Sequence, residues 1–66
     1  SIAWYYGEIL RDRRKELKIT QQELAEKVGT ARSYIARVEK GETDIHISSF
    51  FRIAHALGIE FTPTFL

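Results

Sequence analysis

The chain of 66 residues is predicted to be all-α: a compact bundle of four helices followed by a short C-terminal β-strand or an extended tail. Three observations carry that prediction. Apolar residues recur at helical spacing in separate segments. Between Thr20 and Gly41, two sets of helix start and stop signals stand back to back. Only after Gly58 does the period shorten to the alternation of a strand. No internal repeat, low-complexity stretch or linker divides the chain, so residues 1–66 read as one domain.

The first helix is expected from about Ala3 to Leu17, with Tyr6, Leu10 and Leu17 on one stripe and Arg14 beside it. Trp4, Tyr5 and Tyr6 form an aromatic cluster at its front, suited to a core or an interface. The second helix has a clearer start. Thr20 is an N-cap residue, Glu23 three places on completes a capping box, and Leu24, Ala25 and Val28 follow at one-sided spacing. A helix therefore spans about Gln21 to Val28. Gly29 stands where a helix end wants positive φ, and Thr30 is the expected cap of the third helix. A link of so few residues forces the two axes to cross, which is the helix-turn-helix arrangement.

On the third helix, 100° per residue puts Ala31, Ile35 and Val38 on one face with Glu39 at its edge. Ser33, Ala36, Arg37 and Lys40 point the other way, and Arg32 flanks the start. A helix that enters the DNA major groove needs that pattern: basic and hydrogen-bonding side chains outward, small residues where the backbone approaches the bases. The same arginines on an isolated helix would be a solvated basic face; the capped helix before them and the Gly29 turn favour groove reading. Gly41 ends this helix, and Glu42, Thr43 and Asp44 form a polar loop. Ser48 is the expected cap of a fourth helix carrying Phe50, Ile53, Ala54 and Leu57, stopped by Gly58.

Beyond it, Ile59, Phe61, Pro63 and Phe65 alternate with Glu60, Thr62 and Thr64. Pro63 confines such a strand to an edge or a short pairing. A lone strand on a four-helix domain finds no partner in its own chain, so a twofold homodimer held partly by an intermolecular two-stranded sheet is expected, with Phe51, Ile59, Phe61 and Phe65 at its interface. The competing reading is a tail packed on its own core.

The residues Thr20-Gln21, Glu23-Leu24-Ala25, Gly29, Ile35 and Glu39-Lys40-Gly41 resemble the lambda-repressor-like (Cro/Xre-type) helix-turn-helix family, and the similarity runs from about Ile9 to Ile59. The string Arg52 to Ile59 is similar to that family's fourth helix. The resemblance implies that Ala31, Arg32, Ser33 and Arg37 face bases, and that Gln21 and Lys40 contact phosphates. It also implies that Arg14 pairs with Glu39 and leans toward the DNA backbone. Two departures stand out. Arginines occupy positions where some relatives use glutamine, which shifts preference toward guanine, and a strand-like end replaces the fifth helix of many relatives.

Charge and composition narrow the function further. Between Arg11 and Lys40, nine Lys and Arg residues face five Asp and Glu, a local +4; Arg52 and four acidic residues outside it make −3, leaving +1. One side of such a domain attracts phosphate and the other does not. Cysteine is absent, and no apolar run approaches the ~20 residues of a membrane span. A cytoplasmic protein without membrane contact is therefore expected. His46 and His55 lack metal-ligand spacing, and neither Gly7 nor Gly58 belongs to a phosphate-binding loop. No enzyme, metal or cofactor is expected.

The function expected is a sequence-specific double-stranded DNA-binding regulator, a dimeric repressor reading a palindromic operator. Three alternatives share the fold: an antitoxin that also binds a toxin protein, a restriction-modification controller protein, and a protein-interaction module that does not read DNA.

Overall fold

A computed structural model describes residues 2–65. Four helices follow one another: α1 (Ile2–Glu16), α2 (Gln21–Val28), α3 (Arg32–Lys40) and α4 (Ile47–Ala56). Helix α3 packs against both α1 and α2, and α2 packs on α4. Leu10, Leu24, Ala25, Val28, Ile35, Val38, Ile53, Ala54 and Leu57 form the buried core where they meet.

The start of α2 is a complete capping box. Thr20 Oγ1 accepts the Glu23 N–H at 3.0 Å, and the Glu23 carboxylate accepts the Thr20 N–H at 2.9 Å. That second bond is the main cause holding the Glu23 carboxyl below its ordinary value of 4.5; the Thr20 side chain and Lys27 lower it further. Ile19 before the cap and Leu24 after it both pack into the core, as a hydrophobic staple does. At the other end Gly29 adopts φ 75°, and the N–H groups of Gly29 and Thr30 both turn back to the Ala25 carbonyl. Because that closure takes in Thr30, α3 starts one residue later than the sequence predicts. Ala31 is its N-cap and makes no side-chain cap bond.

The cap of α4 moves the opposite way. His46, not Ser48, is the N-cap, since its extended backbone lets its carbonyl accept the Phe50 N–H at 2.9 Å. Ser48 thus lies inside the first turn. The buried stripe of α1 also differs: Gly7, Leu10 and Arg14 are buried, whereas Tyr6 and Leu17 are exposed. The reason is a close approach of helices. A Cβ on Gly7 would collide with the Val38 carbonyl oxygen and lie 2.9 Å from the Glu39 carbonyl oxygen. With no side chain at position 7, the C-terminal end of α3 settles directly on α1. Tyr6 then leans sideways, its ring centroid 5.4 Å from that of Phe50.

Among the described residues there is no β-strand. Residues 59–65 form an irregular tail, so of the two predicted ends the extended one is found. Ile59 donates its N–H to the Ala54 carbonyl at 2.9 Å and packs on the core. A strand needs a neighbour to bond to, and none of the other described residues pairs with the tail as a strand.

Candidate nucleic-acid interface

Helix α3 is amphipathic in the sense that matters for groove reading. Ile35, Val38 and Glu39 are buried, while Arg32, Ser33, Arg37 and Lys40 are exposed. Ala36, between Arg32 and Lys40 on the helix surface, is half-buried and adds no bulk beyond Cβ. Periodicity puts Ala31 on the inward face; as the N-cap outside the helix, it is exposed instead.

A hydrogen-bonded chain of side chains fixes how this face is presented. The Arg14 guanidinium donates from Nε to Glu39 Oε2 at 2.6 Å and from Nη2 to Glu39 Oε1 at 3.0 Å. Its Nη1 donates to the Ile19 carbonyl at 2.9 Å. Gln21 then donates from Nε2 to Glu39 Oε1 at 3.0 Å and accepts from Arg32 Nη1 through Oε1 at 3.1 Å. The order Arg14, Glu39, Gln21, Arg32 runs from the buried seam of α1 and α3 to the exposed start of α3. Its inner half is a bidentate, charge-assisted pair, the strongest and most directional kind of side-chain hydrogen bonding.

Arg14 lies in the seam of α1 and α3, paired with Glu39. It is 9% exposed and its guanidinium is turned inward, which makes it a positioning residue for Glu39. The rest of the Arg11 to Lys15 run is also partly consumed inside the chain. Arg11 lies 3.4 Å from Glu8 and 3.6 Å from Asp12, and Arg13 Nε donates to the Leu57 carbonyl at the end of α4 at 2.9 Å. The free cationic surface is thus smaller than the local +4 implies. Lys15, Lys18, Lys27, Arg37 and Lys40 form no ion pair among the described residues.

The residues expected at a dimer contact lie on another side. Phe51, Phe61 and Phe65 are exposed, and the Phe51 and Phe61 rings stand 5.9 Å apart. Ile59 is half-buried and packs on the chain's own core. Three structural contributions were missed in the sequence: Gly7 at the α1–α3 crossing, Arg13 on the end of α4, and Gln21 as a link between Glu39 and Arg32. A glycine inside a helical pattern is a legible signal of close backbone approach. The other two depend on which helix ends meet, and nothing local announces that.

Two crossed helices joined by a glycine turn, with the second exposing basic side chains from a buried base, define a helix-turn-helix. The chain belongs to the helix-turn-helix family of Cro/Xre type, whose profile matches residues 10–63. Curated relatives agree. An uncharacterized HTH-type transcriptional regulator of Methanothermobacter thermautotrophicus is 48% identical over 79% of this chain and 75% of its own length. The immunity repressor protein of Bacillus phage phi105 is 41% identical over 82% of this chain, which spans only 38% of that repressor. Among solved structures, the restriction-modification controller protein C.AhdI of Aeromonas hydrophila superposes with a TM-score of 0.82 at 33% identity, covering 88% of this chain and 84% of the controller.

No helix of the described residues is long and apolar enough to cross a membrane.

Proposed function

We propose that this DNA-binding transcriptional regulator inserts α3 into the major groove of double-stranded DNA and represses from a palindromic operator as a homodimer. The observation that carries the reading is the split of α3 into a buried Ile35, Val38 and Glu39 and an exposed Arg32, Ser33, Arg37 and Lys40. Ala31, Arg32, Ser33 and Arg37 face the base edges. Arg37 has no bonding partner of its own among the described residues, so both its outer N–H groups are available to guanine O6 and N7. Arg32 is held by Gln21, which orients it before DNA arrives and lowers the ordering cost of binding.

Gln21 and Lys40 act on phosphates, at the N-terminus of α2 and the C-terminus of α3. Gln21 sits where the α2 N–H groups and their dipole already favour an anion. A dimer through the face of Phe51 and Phe61, with the two tails paired, sets the spacing of the reading helices. Half-sites about 34–36 Å apart place both on one side of the duplex. The kinship to a phage repressor and to a controller protein supports regulation of transcription in either setting.

Selection of bound sequences from a random duplex pool tests the reading directly. The expected result is an inverted repeat with guanine at fixed positions in each half-site. Recovery of no enriched sequence at moderate salt would remove the assignment.

A further inference from the structure

An apolar groove of about 570 Å³ lies between the start of α1, the loop after α3, the start of α4 and the tail. Ile2, Tyr6, Ile47, Phe51 and Phe61 are among its walls. Ile2 and Ile47 remain 73% and 72% exposed, so the groove is largely uncovered. Just beyond it, Phe65 is 93% exposed. The chain cannot easily fill its own groove with that ring. Phe61 is anchored against Phe50 and Phe51 at 5.3 and 5.9 Å, and four extended residues carry Phe65 about 13 Å farther along. Pro63 holds Thr62 extended and resists the reversal that would bring Phe65 back.

The tail has the symmetry of a segment that can pair with a second copy of itself. Phe61-Thr62-Pro63-Thr64-Phe65 reads the same in both directions, and among the described residues no backbone hydrogen bond reaches residues 60–65. Two copies of such a segment, run antiparallel about a twofold at Pro63, set like against like without slippage. Pro63 then faces its counterpart at a non-hydrogen-bonded position, where the N–H it lacks would point away from the partner. Thr62 and the other copy's Thr64 exchange both of their N–H to carbonyl bonds. Phe65 lands opposite the other copy's Phe61, the ring that walls the groove.

Building on the dimer reading above, we propose that the groove is the seat for the tail of a second copy, with Pro63 on the twofold and each Phe65 laid over the other copy's Phe61, Phe51 and Ile47. The exposed parts of Ile2, Ile47, Phe51, Phe61 and Phe65 sum to roughly 600 Å² per copy, taking about 150–250 Å² for each large side chain. Doubled by symmetry, that reaches the ~1,200 Å² at which stable interfaces begin. The dimer so formed is modest in area, and each ring counts twice.

The chain has no cysteine, so engineered thiols report the register cleanly. Pro63→Cys brings two Cα atoms to about 4.5 Å and Thr62→Cys mixed with Thr64→Cys to about 5.5 Å, both within disulfide reach. Thr62→Cys alone leaves its two copies diagonal, about 7–8 Å apart, and out of reach. The experiment pairs oxidative cross-linking of these variants with sedimentation of the parent and Phe65→Ser; helical circular dichroism verifies that each variant is folded. The expected result is rapid cross-linking of Pro63→Cys and of the mixed pair, slow cross-linking of Thr62→Cys alone, and dimer association weakened about a hundredfold by Phe65→Ser. A stable dimer without that cross-linking order, or weakened less than tenfold by Phe65→Ser, overturns the tail seat and leaves the dimer standing. A parent protein that stays monomeric at high micromolar concentration overturns both.

Discussion

Glu39 offers the sharpest test of how the reading face is held. Its side chain is 3% exposed and that of Arg14 11%, with 2.6 Å between Oε2 and Nε. Replacing Glu39 by Ala leaves a guanidinium shut away from water with only the Ile19 carbonyl to meet it. Breaking a buried pair in this way costs about 3–5 kcal/mol. A chain of 66 residues has a total stability of only about 3–10 kcal/mol, so Glu39→Ala is expected to leave a large fraction unfolded at 25 °C. Removing both charges is a different perturbation. With Arg14→Met and Glu39→Leu together, no lone charge is buried, and stability is expected to return to within about 1–2 kcal/mol of the parent. DNA affinity is not expected to return, since Gln21 has lost the carboxylate that orients it and Arg32 is tethered through Gln21. Urea unfolding followed by circular dichroism measures the first effect, and fluorescence anisotropy on a selected operator measures the second. A Glu39→Ala loss below about 1 kcal/mol, or a double variant that binds like the parent, would refute this chain of positioning.

Other expectations are more local. Gly7→Ala drives a methyl into the Val38 and Glu39 carbonyls and should cost about 1–3 kcal/mol in urea unfolding; Gly29→Ala meets nothing within 4 Å and should cost only the ~1 kcal/mol of a left-handed L-residue. Lys18 already holds φ 57° as the C-terminal turn of α1, so Lys18→Gly should raise stability by about 0.5 kcal/mol, the relieved strain exceeding the added chain entropy. Glu23 has a lowered folded-state pKa, so its contribution is present above the ordinary value of 4.5 and lost as pH falls through the folded value. Glu23→Gln should flatten that part of the acid unfolding curve, and carboxyl NMR should show Glu23 titrating below the ordinary value of 4.5. Arg37→Ala should cost about 1–3 kcal/mol on the selected operator and relax preference at one base pair. Lys40→Ala should weaken all sequences alike and reduce the salt slope by ~0.9.

Local signals make most of the architecture legible in the sequence. The Thr20 and Glu23 capping box, the Gly29 turn and the Gly41 stop are short-range chemistry, satisfied by residues within one helical turn of each other, so they bound α2 and the end of α3 closely. The outward set of α3 was equally readable, because Ser33, Arg37 and Lys40 follow from helix geometry once Ile35 and Val38 are known to face inward. Where two signals competed, the local reading slipped. Thr30 could cap α3 or close α2, and the Gly29 turn claimed its N–H; Ser48 could start α4, but the loop's path put His46 there first.

Tertiary contact decided the remainder. Arg11, Arg13, Arg14, Lys15 and Lys18 look alike as a basic stretch, yet one caps α4, one is buried against Glu39, and one bends the chain into a left-handed turn. Charge counts cannot separate them, because the distinction lies in which carbonyl or carboxylate another helix brings within 3 Å. The alternation after Gly58 similarly specifies a segment able to pair without supplying the strand it needs. Helix position and the chemistry of the reading face are thus encoded within a few residues, whereas the spending of each charge is settled only when α1, α3 and α4 close on one another.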